Sequence, residues 1–422
     1  MRVLLVSANT ERMNILPLPL GLALVAAACR RVGHDVRLLN LMFEGDIESA
    51  LREAIEGFRP EAIGISVRNI DDQNMEAPKF LLPPVRKVVT VCRGLCDAPT
   101  VLGGAGYSIF PMSALCYLGA NMGICGEGET VFPDVLERLA RRASVAGLPG
   151  LYLPNLPPTG RSFAGNLDDL PLPEPGLWIP PVPDRGEFWV PVQSRRGCPM
   201  DCSFCSTSSI EGRSIRRHSP ETIGDWLEQL AASGFHNFHF VDNTFNLPPA
   251  YAKGLCRNIV ERRLDINVRC IIYPKWIDGE LVQLMVRIGC REISLGFESG
   301  SDCILGNFRK KFKVEEVTTV SRMFADAGIF RRGFLLLGGP GETRETVEES
   351  LRFADSLSVD ALKITVGLRI YPETPLAATA LAEGLIGPRD DLLRPRFYVA
   401  PCLRGWLPER VIAYKRSRSW VT

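Results

Sequence analysis

The sequence predicts an α/β protein in two parts, a doubly wound parallel sheet followed by an incomplete parallel barrel of six β/α units. Three observations predict it. Over residues 1–146, short apolar runs ending in polar or Gly-rich turns alternate with helical patterns. A Pro-rich, aperiodic stretch then breaks the rhythm from Gly147 to Glu187. Beyond it the alternation resumes with six strand candidates, fewer than a closed eight-stranded barrel needs.

In the first part the strand candidates are "RVLLVSA", "HDVRLLNL" from His34, "AIGISV" from Ala62 and "APTVLGGAG" from Ala98, with helical patterns such as "IESALREAIEGF" between them. Ligands of such a sheet sit beyond the carboxyl ends of its strands. The Pro-rich stretch, with "LPNLPP", "LPLPEP" and "IPPVPD", reads as an extended linker over residues 147–187. "FWVPVQSRR", "NFHFVDN", "INVRCII", "EISLGFE", "GFLLLGG" and "ALKITVGLRIYP" are the strands of the second part, residues 188–380. Residues 381–422 form a short carboxyl-terminal cap. An open barrel leaves a mouth and a side gap for a large substrate.

Lys plus Arg total 49 against 48 for Asp plus Glu, so no basic field advertises nucleic acid or an anionic membrane. Thirteen cysteines without a leader pattern point to a reducing, cytoplasmic setting. The apolar run "LPLGLALVAAAC" from Leu18 is too short to span a bilayer and reads as a core helix.

"RRGCPMDCSFCST" follows the first strand of the second part and sets Cys198, Cys202 and Cys205 at gaps of three and two residues. Three thiolates can hold three irons of a [4Fe–4S] cluster and leave the fourth iron open to a small molecule. A zinc site would want a fourth Cys or His, and the first His after Cys205 is His218. The motif, with aromatic Phe204 before the last cysteine, resembles that of the radical S-adenosylmethionine (SAM) enzymes. In that family SAM chelates the open iron and is cleaved reductively to a 5′-deoxyadenosyl radical. The resemblance implies that "GGPGE" (Gly338, Gly339, Pro340, Gly341 and Glu342) contacts the methionine amino group. It also implies that Glu298 in "SLGFESGSD" holds the ribose or amino group, and that the stretch from Ile364 reads the adenine.

Four stretches of the first part, "LPLGLA", "SVRN", "GGAGYS" and "GEGE", together resemble the Rossmann-like cobalamin-binding domain that precedes the radical barrel in one large class of these enzymes. The resemblance implies cobalamin contacts from Arg68, Asn69, Gly103, Gly104, Gly106, Tyr107, Gly126 and Glu127. Many cobalamin proteins ligate cobalt through an Asp-x-His-x-x-Gly element. Here only His34 lies in the first part, outside that pattern, so Arg68 and Asn69 are the candidates for lining the cobalt.

The expected activity is C-methylation of an unactivated carbon, with SAM, cobalamin and the cluster as cofactors and a flavodoxin or ferredoxin as electron donor. The substrate class stays open among small molecule, lipid and peptide. Asp242, in "VDNTFN", and Tyr273, in "CIIYP", are expected at the barrel's productive rim. Asp242 could equally satisfy backbone donors, and Tyr273 could be a packing residue. Arg331 and Arg332 read as a solvated face. The alternatives are a non-methylating reaction (cyclisation, ring rearrangement or oxidation), a relative that has lost cobalamin, and a non-enzymatic cobalamin sensor, which would not need the cysteine loop. A methylthiolating enzyme would want a second three-cysteine set and a basic carboxyl-terminal RNA module.

Overall fold

A computed structural model describes residues 1–11, 16–180 and 188–422. The chain divides into two compact units, the first comprising Met1–Asp72, Lys79–Pro183 and Thr207–Gly212, the second Gln73–Pro78, Asp184–Ser206 and Arg213–Thr422. Each therefore takes a short segment from within the other's span.

The first unit is built on β1 (Arg2–Ser7), β2 (Asp35–Asn40), β3 (Ala62–Ser66), β4 (Thr100–Gly103), β5 (Met122–Ile124) and β6 (Leu151–Tyr152), in the order β2-β1-β3-β4-β5-β6. All neighbours are parallel except β5 and β6. Helices Leu20–Arg31 and Gly128–Ala140 pack together, as do Ile47–Phe58 and Leu82–Leu95. Strands covered on both faces must be apolar throughout, and Val3 to Val6 are all buried. Val3 and Leu5 join Leu22, Ala26, Phe132 and Val135 in one core.

The Pro-rich stretch expected as an extended linker is partly built into this unit. It supplies β6, and Ser162 bridges to Gly126. Ala164, Leu167 and Leu170 form a small buried cluster of their own. Proline excludes these residues from a regular central strand, but their leucines still bury apolar surface. The end of that stretch, residues 181–187, lies outside the described residues.

The second unit carries β7 (Trp189–Val192), β8 (Asn237–Phe240), β9 (Asn267–Ile272), β10 (Cys290–Glu298), β11 (Phe330–Leu337) and β12 (Ala361–Val366), each parallel to the next in chain order. The first and last strands do not pair, so the six-unit barrel is open. The chain's end covers the β12 edge: Leu362 donates to Trp420 O at 2.8 Å and accepts from Thr422 N at 2.8 Å. That removes a row of unpaired backbone groups. Among the described residues no helix is long and apolar enough to cross a membrane.

Candidate functional site

The cysteine loop leaves β7 through a buried polar knot. Asp242, wholly buried just after β8, accepts from Ser194 N (2.8 Å) and Arg195 N (3.0 Å) through Oδ1, and from Ser194 Oγ (2.6 Å) through Oδ2. Burial raises its pKa, while Arg195 and the Ser194 bonds oppose the shift. Arg195 is itself buried and donates to Gly197 O at 2.9 Å and, through Nε, to Thr244 O at 2.9 Å. Asp242 is thus not exposed at the rim: its carboxylate is spent on the chain that carries the cysteines. Gly197 sits at φ +87°, where a Cβ would lie 2.0 Å from Ser214 O, so only glycine makes this turn.

Within the loop Ser203 is pinned from both sides, donating to Phe308 O at 3.0 Å and accepting from Leu376 N at 2.8 Å. Phe204 packs edge-on against the Phe308 ring, 5.4 Å between centroids. Cys198 is buried, and Cys202 and Cys205 are half-buried. Burial pushes the Cys202 thiol up to about 11; Cys205, Glu298 and Cys198 add to this and Lys310 opposes it. A thiol held protonated in this way becomes a ligand only when a metal takes the proton's place. Among the described residues no three Cys, His, Asp or Glu side chains converge as around a single ion. Cluster ligands each bind a different iron and need not converge.

The glycine loop at the end of β11 rests on the same phenylalanine. A Cβ on Gly339 would fall 2.2 Å from the Phe308 ring, and one on Gly341 2.5 Å from Asn307 Nδ2. Asn307 donates to Pro340 O at 3.0 Å. Glu342 turns back under the loop: Oε2 accepts from Gly339 N at 2.7 Å and from Gly338 N, while Oε1 is buried without a partner. Burial raises this carboxyl to about 7, against the pull of those two N–H groups.

Glu298 ends β10 at φ +62°, beyond a register shift between Gly296 and Glu298. It pairs with Lys310 at 3.0 Å, the two side chains only 14% and 7% exposed. The ammonium lies 5.1 Å from the centre of the Phe204 ring. Burial works against its charge, but Glu298 and Cys202 outweigh burial and raise its pKa. Tyr273 is buried: its hydroxyl accepts from Lys311 N at 2.8 Å, and its ring packs on Phe312 and Trp276. Asn246 clips the same turn, accepting from Tyr273 N at 2.9 Å and donating to Tyr273 O and Lys275 O. Arg331 is buried against Asp360 and Ser358 O and forms no solvated face, while Arg332, with a side chain 35% exposed, pairs with Glu292 at 2.8 Å.

In the first unit the loops after β3 and β4 lie directly on each other. Gly106 donates to Val67 O and Arg68 O, both at 3.0 Å, and a Cβ on it would sit 3.0 Å from Arg68 O. Gly104, at φ +101°, leaves no room beside Val67 O, and Gly103 ends β4. Arg68 is exposed and, among the described residues, has no carboxylate partner; the Asn69 amide oxygen, correctly oriented, accepts from its Nη1 at 3.1 Å. Two expected contacts turn inward instead. Tyr107 is buried with its hydroxyl against Gly123, where a Cβ would be 2.1 Å away. Glu127 is buried and accepts from Ala164 N at 2.7 Å, while Gly126 accommodates Ser162.

Residues 192–354 match the Radical SAM superfamily and residues 16–136 the B12 binding domain. The chain carries a radical SAM domain and a B12 binding domain. The cofactors that go with these two domains are a [4Fe–4S] cluster, SAM and cobalamin. The chain is 27% identical over 402 residues to an uncharacterised methyltransferase of Pyrococcus horikoshii, covering 92% of this chain and 84% of that one. It is 27% identical to the tryptophan 2-C-methyltransferase of Streptomyces laurentii, covering 88% and 73%. The methyltransferase TsrM of Kitasatospora setae, solved with cobalamin and a [4Fe–4S] cluster, shares the fold at a TM-score of 0.88 and 23% identity, covering 100% of this chain and 92% of that one.

Lys310, Phe308, Arg195 and the carboxylate role of Glu342 are absent from the sequence reading. Lys310 stands in "FRKKFK", where no local pattern separates it from Lys311 and Lys313.

Proposed function

We propose that the protein is a cobalamin-dependent radical SAM C-methyltransferase that acts on an unactivated carbon of a small molecule. The observation that carries this reading is the shared support of the two loops: Phe308 underlies both the three-cysteine turn and the glycine turn. When bound, the cofactors supply an electron, an adenosyl group that takes a hydrogen from carbon, and a methyl group.

Cys198, Cys202 and Cys205 would hold the cluster, leaving one iron without a protein ligand. The fit is supported by the pinned Ser203 backbone and by the Cys202 thiol, which burial keeps from ionising alone. Backbone of Gly338, Gly339, Pro340 and Gly341 would take SAM, with the Glu298–Lys310 pair and Phe204 beside it. The unpartnered Glu342 Oε1 marks buried polar capacity next to that loop. Cobalamin would lie on the cradle of Gly103, Gly104 and Gly106 against Arg68 and Asn69. There the Arg68 guanidinium, which has no lone pair to offer, could not itself ligate cobalt. Asp242 and Tyr273 act as positioning residues, the first for the cysteine turn and the second for the segment carrying Lys310. A flavodoxin or ferredoxin is the proposed electron donor.

Protein prepared without oxygen and given hydroxocobalamin should retain about four irons and one cobalt per chain. Cys202→Ala should lose the iron and the reductive cleavage of SAM while keeping the cobalt. Iron without cobalt in the parent protein would overturn the methylcobalamin reading.

A further inference from the structure

The carboxyl-terminal part of the second unit carries a cavity of about 470 Å³ that is open to solvent, within the size range of small-molecule sites. Ile370, Leu385, Phe397, Val399 and Met75 give it an apolar part, while polar atoms make up about half of its lining. Short antiparallel pairing builds its walls: Leu368 opposes Tyr398 and Arg369 opposes Phe397, and Ile370 donates to Arg396 O at 2.8 Å. Met75 reaches in where Gly367 leaves space; a Cβ there would lie 2.4 Å from its sulfur. The next residue after Val399, Ala400, donates to Gly338 O at 2.9 Å, which ties this wall to the glycine loop.

Two cations border this apolar space. Arg396 is already paired with Asp390 at 3.3 Å. Arg404 is not: its Nε donates to Val399 O at 3.4 Å, and among the described residues no carboxylate pairs with its guanidinium. Arg404 is exposed at the cavity's edge, and this long bond leaves its terminal nitrogens open to a ligand. A guanidinium presents a fork that fits a carboxylate. The cavity and the cation together select a ligand with an apolar body and one anionic end.

We infer that this cavity recognises the methyl acceptor as a small organic acid, an apolar skeleton bearing one carboxylate that Arg404 binds. The inference rests on the methyltransferase reading for the ligand's role, but not for its binding.

The test is equilibrium dialysis of the full-length, cluster-loaded protein with 3-phenylpropanoate and with its neutral counterpart, 3-phenylpropanamide. The acid should bind about tenfold more tightly than the amide, as expected for a hydrogen-bonded charge. Arg404→Gln should erase that preference, Phe397→Ala should weaken both probes, and added salt should weaken only the acid. Equal binding of acid and amide, no binding of either, or an unchanged preference in Arg404→Gln would overturn the inference. Displacement of the acid by S-adenosylhomocysteine would also overturn it, by assigning the cavity to the cofactor. Failure of the cofactor reading shows instead in iron and cobalt content, which these probes do not touch.

Discussion

The ring of Phe308 occupies the space that any side chain on Gly339 would need, 2.2 Å from where its Cβ would stand. The same residue accepts from Ser203 N and packs on Phe204. One phenylalanine therefore sets the spacing between the cysteine turn and the glycine turn. Gly339→Ala should push these turns apart, weaken SAM binding by about tenfold or more, and leave iron content near normal. Phe308→Leu in the same chain should restore part of the affinity, read by dialysis of labelled SAM.

Lys310→Met leaves Glu298 buried without its partner. Removing one member of a buried pair costs about 3 kcal/mol or more, and here the loss should appear as a lower denaturation midpoint in cluster-free protein. Adding Glu298→Gln should recover most of it, because the uncompensated charge is gone. Equal midpoints for all three proteins would show that solvent already screens the pair.

Glu342 should make stability fall as pH rises. Its carboxyl is raised to about 7 in the folded state by burial, against about 4.3 unfolded. Between those values the native chain holds the proton more tightly, so stability present at low pH is lost on the way up. The loss is about 4 kcal/mol when complete. Glu342→Gln keeps a carbonyl for Gly338 N and Gly339 N and should flatten the dependence between pH 4.5 and 7, measured by urea titration.

Gly106→Val should separate the two cofactors. Its side chain would meet Arg68 O and the Asn69 carbonyl carbon, each about 3 Å from the Cβ alone, and lift the loop after β4. Cobalt retention should fall sharply while iron content stays at the parent level. Asp242→Ala should do the reverse, since it frees the Ser194 and Arg195 amides beneath the cysteine turn.

The alternation of strands and helices, the open six-unit barrel and the three-cysteine turn were legible because each rests on local spacing. Periods of two and 3.6, glycines at strand ends and thiols at fixed gaps survive in a one-dimensional pattern. The Pro-rich stretch misled because proline announces irregular backbone but says nothing of burial; Leu167 and Leu170 found a core regardless. Tyr107 and Glu127 stood in ligand-loop motifs yet turned inward, toward Gly123 and Ala164, which are distant in the chain.

By itself the sequence determined the two-part α/β order, the three-cysteine turn and the glycine turns, since each is a matter of residue type and short-range spacing. Only the tertiary structure decided that Asp242 supports the cysteine turn instead of lining the rim. It also decided that, of Lys310, Lys311 and Lys313, only Lys310 meets Glu298, and that Arg404 borders a cavity with no acid among the described residues to neutralise it. A polar side chain's role depends on which distant groups share its desolvated space, and that is set when the strands pair and the turns pack.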